Sequence, residues 1–372
     1  MRRLIATVSA FVVCLLTAVN VYLSRFTIQS NFLAQDVLLS SFAEDNNNSL
    51  ADVQERIRLV CGDKATTPAS ADSSFAAEWR LICNQGLVQA FEEAFQTQDD
   101  VHIVQIGAHI GFEENDPICQ GLTTWMHALP YAKRHEALHW TFVEPSPPNF
   151  RRLQQNLQNR SDLCDLQAIN AAVVADNDAS SSRTSSSKTD QITTTMTFYS
   201  LDDSIDPATG YDSKSGQTLP YFITQVSGLT LKPILHHGRK FARRGLNISD
   251  YIVETQVTAK RYTDLMHDII KQGKDHDDKN NLPRHAASSS SPPVLVLIDT
   301  EGFDCDIILN IATDSPYWAT FLIYEHHQCG TPKKGKTEAF LQQQGYRTID
   351  LGTQNTLAVR NTTHAEYNSI TG

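Results

Sequence analysis

Three apolar runs in this chain end in residues suited to binding a nucleotide-type group or accepting a proton. Val101-His-Ile-Val-Gln-Ile106 stops at Gly107 and turns again at Gly111. His139-Trp-Thr-Phe-Val143 stops at Glu144-Pro145, and Val294-Leu-Val-Leu-Ile298 stops at Asp299-Thr300-Glu301-Gly302. Continuous Val/Ile/Leu runs read as parallel strands buried on both faces, and open α/β sheets bind ligands beyond the carboxyl ends of such strands. Lacking a Cβ, Gly107 lets backbone approach a ligand, and Gly111 permits tight packing at a helix start. Glu144, ending the second run, is placed to accept hydrogen bonds from two ribose hydroxyls. That arrangement serves NAD, FAD and S-adenosylmethionine alike. The spacing Gly107-x-x-x-Gly111 replaces the G-x-G-x-x-G of dinucleotide sites and so argues against a dinucleotide.

The elements that would position these residues follow from pattern. A helix is expected over residues 75–95, with Ala76, Trp79, Ile82, Leu87, Ala90 and Phe91 on one face. Strands are expected at 101–106, 139–143, 165–174, 294–298 and 321–324. A long acidic loop containing Cys119 follows Gly111, a helix holding Leu122, Trp125, Met126 and Leu129 joins the first two strands, and another follows Pro147-Pro148. Residues 197–200 and 251–258 read as strands of an insertion, a helix starts near Asp304, and a second helix runs over 337–344. Residues 346–351 and 356–360 close as a hairpin. Strands alternating with helices describe βαβ units of an α/β protein.

These blocks carry a resemblance. Val104-Gln-Ile-Gly-Ala-His-Ile-Gly111 resembles the V-D-V-G-A-N-I-G of the FkbM-type methyltransferase family. Phe142-Val-Glu-Pro-Ser-Pro-Pro-Asn-Phe150 is similar to its F-E-P-x-P-x-x-F, and Asn170-Ala-Ala-Val173 to its N-A-A-V. Thr258-Ala-Lys-Arg-Tyr-Thr-Asp-Leu265 resembles V-x-T-L-D-D-L, Ile298-Asp-Thr-Glu-Gly-Phe-Asp304 resembles D-V-E-G-x-E, and Phe321-Leu-Ile-Tyr-Glu-His-His327 resembles V-x-x-E-x-H. The resemblance implies a doubly wound, mostly parallel Rossmann-like sheet of the class I methyltransferase type, ending in an antiparallel strand pair. It implies S-adenosylmethionine as cofactor, held by Gln105, Gly107, Ala108, His109, Gly111, Glu144, Pro145, Ala171 and Asp299. The implied reaction is O-methyl transfer to a hydroxyl, here of a glycan. Gln105 stands where the family has an acid and His109 where it has Asn, so the hold on the amino end of the cofactor differs.

Methyl transfer from a sulfonium is an in-line displacement, so alignment and water exclusion dominate, and an alcohol acceptor benefits from a base. Asp299 is the first candidate for that base or for orienting the sulfonium end. Glu301 and Glu325 come second and His326 third. Against these roles, Glu301 can serve a helix N-terminus and His326 or His327 can be packing residues. Asp299, Glu301, Asp304 and Asp306 are dense enough for Mg²⁺ or Ca²⁺ but fit no defined loop, and the adjacent pairs His236-His237 and His326-His327 lack zinc spacing. No metal is expected.

Composition bounds the rest. The 372 residues carry 31 Lys and Arg against 42 Asp and Glu, a formal charge of −11, which argues against nucleic acid as a partner. The basic stretch His236-His-Gly-Arg-Lys-Phe-Ala-Arg-Arg244 reads as a solvated face. Residues near 177–197 and 273–293 have the composition of surface insertions. Arg2 and Arg3 precede residues 4–23, which carry no charge and are long enough to span a bilayer. The expected organisation is a tip and signal anchor at 1–24, a stem at 25–98 and a methyltransferase domain at 99–364. That makes a single-pass type II membrane protein with its catalytic domain in the lumen of the ER or Golgi; the alternative is secretion after signal cleavage. Of seven cysteines, Cys14 lies in the span and six remain. Cys61 with Cys83 is the favoured pair, and Cys164 and Cys305 read equally well as buried free thiols. The alternative functions are methylation of nitrogen or carboxylate on a protein or metabolite, and a lumenal binding module that has lost catalysis.

Overall fold

The alternation of apolar runs and helical patterns produces a seven-stranded sheet covered on both faces. The computed structural model describes residues 50–61, 74–97, 100–112, 116–175, 194–220, 223, 225–277, 292–352 and 354–360. The expected membrane anchor and most of the two low-complexity insertions lie outside the described residues. Among the described residues no helix is long and apolar enough to cross a membrane.

In chain order the elements begin with α1 (Leu50–Cys61), α2 (Ser74–Asn84), α3 (Leu87–Thr97) and β1 (Val101–Ile106). Next come α4 (Pro117–His127), α5 (Tyr131–Ala137), β2 (Leu138–Val143), α6 (Pro147–Gln158), β3 (Asp165–Ile169) and β4 (Ala172–Val174). The insertion contains β5 (Thr194–Leu201), β6 (Tyr211–Asp212), β7 (Gln217–Thr218), α7 (Lys232–His236), α8 (Gly238–Ala242) and β8 (Ile252–Arg261). The chain then forms α9 (Tyr262–Asp277), β9 (Leu295–Ile298), α10 (Asp304–Leu309), β10 (Phe321–Glu325), α11 (Thr331–Gln343), β11 (Tyr346–Asp350) and β12 (Asn355–Arg360).

The main sheet has the order β11-β12-β10-β9-β1-β2-β3. Its pairs are parallel except those made by β12, which runs antiparallel to β10 and β11. Register positions the site. Ile106 lies opposite both Val143 and Ile298, so the next residues, Gly107, Glu144 and Asp299, leave the sheet side by side. Leu295 and Leu297 face one apolar layer with α2, α3, α4 and α6, while Val296 and Ile298 face the other with α9, α10 and α11. Both layers are dry, which is why these strands read as unbroken apolar runs.

Three expectations are corrected. The helix over 75–95 is two helices, broken where Gly86 takes φ 86°, a left-handed turn that favours glycine. The strand over 165–174 is also two. β3 pairs with β2 in the main sheet, and β4 pairs with β8 in a second, three-stranded sheet β4-β8-β5. At the break, Asn170 Nδ2 donates to Glu144 O at 2.7 Å. Finally, Cys119 lies not in a loop but in α4, which Asp116 caps by accepting from Ile118 N and Cys119 N, with Pro117 in the first turn. An Asn-Asp-Pro sequence is a readable helix start.

Residues assigned from sequence to a stem pack into the same core as the sheet. Phe91 stacks on Trp125 at 4.6 Å, and Trp125 Nε1 donates to Glu92 Oε1 at 3.1 Å. Trp79 lies against Gly121 of α4, where a Cβ would come within 2.2 Å of the indole. Two disulfides are present, Cys61–Cys83 and Cys305–Cys329. The first is the pair favoured from sequence. The second removes Cys305 from the free thiols, while Cys164 remains free and buried. The insertion has its own small core around Ile234, Phe241 and Tyr251. Phe241 is buried while Arg239, Arg243 and Arg244 are exposed, so the basic stretch is a solvated face.

At the amino-terminal edge of the sheet, His139 bonds Asp165 Oδ2 at 2.9 Å and Asp100 Oδ1 at 3.2 Å. Burial alone would lower its pKa, but the two carboxylates outweigh burial and raise it to about 9 from the ordinary 6.5. A histidine raised in the folded state contributes stability that is full below pH 6.5 and lost as pH rises through about 9. The melting-temperature difference between wild type and His139→Gln should therefore shrink as pH rises from 6.5 to 9.5. A difference independent of pH would contradict the pairing.

Candidate functional site

Beyond the carboxyl ends of β1, β2 and β9 lies a cleft of about 330 Å³, within the roughly 300–1,000 Å³ of small-molecule sites. It is lined by Gln105, Gly107, Ala108, His109, Gly111, Glu144, Pro145, Ala171, Asp299 and Glu301. The structure thus gathers every residue expected to touch a cofactor, although the segments are far apart in the chain. Glu325 and His326, at the end of β10, do not line it. His326 Nδ1 is 2.9 Å from Thr356 Oγ1, and its pKa is lowered, chiefly by burial. These two therefore stand apart from the residues that the cleft brings together.

The first turn is built by close approaches. Gly107 has φ 79°, and a Cβ there would sit 1.6 Å from Asp299 O. The missing Cβ thus admits the end of β9, while Gly107 still lines the cleft. Gly107 N and Ala108 N both donate to Val143 O, at 2.9 and 3.1 Å. Gly111, at φ 60°, abuts Leu153 of α6, where a Cβ would lie 2.7 Å from Cδ1. It sits in a turn several residues before α4, not at a helix start.

Glu144 anchors this turn. His109 N donates to its Oε2 at 2.8 Å and Ser146 N to its Oε1 at 2.8 Å. The side chain is buried, and burial pushes its pKa up to about 7 even though these amides and His109 pull the other way. The Asn149 side chain also hydrogen-bonds the carboxylate, so only part of its acceptor capacity is left for a ligand. Glu144 is thus a structural tie as well as a ribose candidate.

The second turn, Asp299 to Gly302, is shaped by Asp304. Its carboxylate accepts from Thr300 Oγ1 at 3.0 Å and from Thr300 N and Gly302 N at 3.3 Å. Asp306 instead pairs with Lys333 at 2.8 Å. Two of the four clustered acids are therefore committed, and among the described residues no group of three or more His, Cys, Asp or Glu is arranged to hold a metal. Asp299 is exposed to the cleft. Glu301 accepts from Gln328 Nε2, and burial, then the charge of Asp299, raise its pKa. Glu325 is raised by burial and by Asp299, Glu301 and Asp304. The Cys305–Cys329 bridge ties α10, which follows this turn, to the segment carrying Gln328.

Backbone strain marks the same place. Among the described residues only His109, Phe112 and Glu301 combine a side chain with positive φ, at 49°, 46° and 54°, and all three line the cleft. Such conformations persist where the surroundings over-determine them and cluster at ligand sites. Sequence reasoning missed the outer wall: Glu78 of α2, the α4 cap Asp116, Phe198 of β5, Gln225 and Ser227 to Leu229 of the insertion, and Asn355 of β12. Asn355 Nδ2 donates to Glu78 Oε1 at 3.0 Å. Only the Asn-Asp-Pro signal of Asp116 was legible beforehand. No family model matches the sequence, and no curated protein is significantly similar to it.

Proposed function

We propose that the protein is an S-adenosylmethionine-dependent O-methyltransferase acting on a hydroxyl of a glycan. The observation that carries this reading is the convergence of the Gly107 turn, Glu144 and the Asp299–Glu301 turn on one strained cleft at the carboxyl edge of the sheet. The strand order, with its single reversed strand β12, fits the class I methyltransferase arrangement. Bound in this cleft, S-adenosylmethionine would supply a methyl group on a positively charged sulfur. A set of acids suits that charge, since Asp299, Glu301 and Glu144 line the site.

The chain's own residues then divide the work. Gly107, Ala108 and His109 offer backbone against the adenosyl group, Glu144 accepts from the ribose, and Gln105 offers an amide in place of the usual acid. Asp299 receives the proton lost by the acceptor hydroxyl. Glu301, with its raised proton affinity, is a second carboxylate able to hold a proton near neutral pH. Two disulfides support an oxidising compartment, in keeping with a lumenal domain behind a signal anchor. The test is transfer of radiolabelled methyl groups from the cofactor into glycan and protein fractions. Label is expected in alkali-stable methyl ethers of glycan. Label confined to protein would favour nitrogen or carboxylate methylation, and none at all, with cofactor binding absent, would leave a binding module.

A further inference from the structure

We infer that the acceptor is an uncharged sugar unit and that the cleft excludes acidic sugars, those bearing carboxylate, sulfate or phosphate. This rests on the glycan reading above and deepens it. A further part of the lining is drawn from four separate parts of the fold. It contains Glu78, Asp116, Gln225, Ser227, Gln354 and Asn355: two carboxylates, three amides and a hydroxyl. With Glu144, Asp299 and Glu301, five acids line the cleft, and among its described lining residues there is no Lys or Arg.

Carboxylates and amides are good partners for neutral polyols, because each sugar hydroxyl donates to a carboxylate and both donates to and accepts from an amide. Phe198 and Phe303, also in the lining, supply apolar faces for the C–H side of a sugar ring. An anionic sugar gains none of this. It meets like charges in a partly desolvated cleft where an Arg or Lys clamp would be needed. Burial has already raised the proton affinity of Glu78, so the wall carries its charge at a cost, and a second anion would add to it.

The experiment measures equilibrium binding of matched oligosaccharides to the full chain by saturation-transfer NMR and calorimetry. The probes are a neutral oligosaccharide, the same chain ending in a uronic acid, and its sulfated form. Neutral binding is expected at least about tenfold tighter than either acidic form at low salt, with the gap narrowing at high salt as screening grows. Glu78→Gln should reduce the neutral-to-acidic ratio about threefold, and Asp116→Asn, which keeps the helix cap, should do the same independently. Equal or tighter binding of the acidic forms overturns the inference, as does failure to bind any of the three. Calorimetry with S-adenosylhomocysteine runs in parallel: loss of that signal with the charge preference intact removes the methyltransferase reading, and the reverse result removes only the inference.

Discussion

An Asp299→Asn variant is expected to transfer methyl groups about 10²–10⁴-fold more slowly than wild type, the range for loss of a positioned base. Its affinity for the cofactor should change far less. Asp299 follows Ile298 in register with Glu144 and Gly107, and it is open to the cleft, whereas Asp304 is consumed by its own turn and Glu325 stands outside the lining. Asn preserves size and most hydrogen bonding but cannot take up a proton. In the Asn variant the Glu301 carboxyl, raised in wild type by burial and then by the charge of Asp299, should move back toward the ordinary carboxylate range. Single-turnover rates and calorimetry separate chemistry from binding; a variant at wild-type speed would exclude Asp299 as the base.

Gly107→Ala should be the most damaging glycine-to-alanine change among the described residues. The added carbon would sit 1.6 Å from the carbonyl oxygen of Asp299 and 2.5 Å from its carbonyl carbon, both backbone atoms that no rotamer change can move. The residue also keeps φ 79°, which alanine disfavours. β1 and β9 would have to separate at the edge that forms the site. A loss of about 4 kcal/mol or more is expected, in the class of substitutions that place atoms where the backbone cannot yield, together with loss of cofactor binding. Urea titration monitors the first and calorimetry the second. Gly216→Ala, at φ 68° with open space around its Cβ, is the control for backbone conformation alone. Equal effects at the two glycines would contradict the close approach.

Much of this architecture was readable because burial leaves a compositional trace. β1, β9 and β10 are dry on both faces, so their Val, Ile and Leu runs mark them almost to the residue, and the acids or glycines that follow mark the ligand edge. The division between β3 and β4 left no such trace. Both halves are apolar, and the switch between sheets is made by Asn170, whose side-chain bonds to the Glu144 and Pro145 carbonyls are long-range. Helix α2 looked like part of a stem, yet it brings Glu78 to the cleft because Trp79 nests on Gly121, a contact between segments 42 residues apart. The strained turns at His109 and Glu301 were equally hidden, since side chains of their type carry no signal for positive φ. Cysteine pairing followed the same divide: Cys61 and Cys83 lie on the successive helices α1 and α2, whereas Cys305 of α10 is joined to Cys329 across the intervening strand β10.

The most direct measurement is calorimetric titration of S-adenosylhomocysteine into the full wild-type chain and into Glu144→Ala, with thermal melts confirming that both are folded. One site per chain is expected for wild type, weakened by about 1.5–3 kcal/mol in the variant, the range for hydrogen bonds to a charged group. No heat of binding to folded wild type, or equal affinity in the two proteins, would mean that the cleft between Gly107, Glu144 and Asp299 holds something other than an adenosyl group.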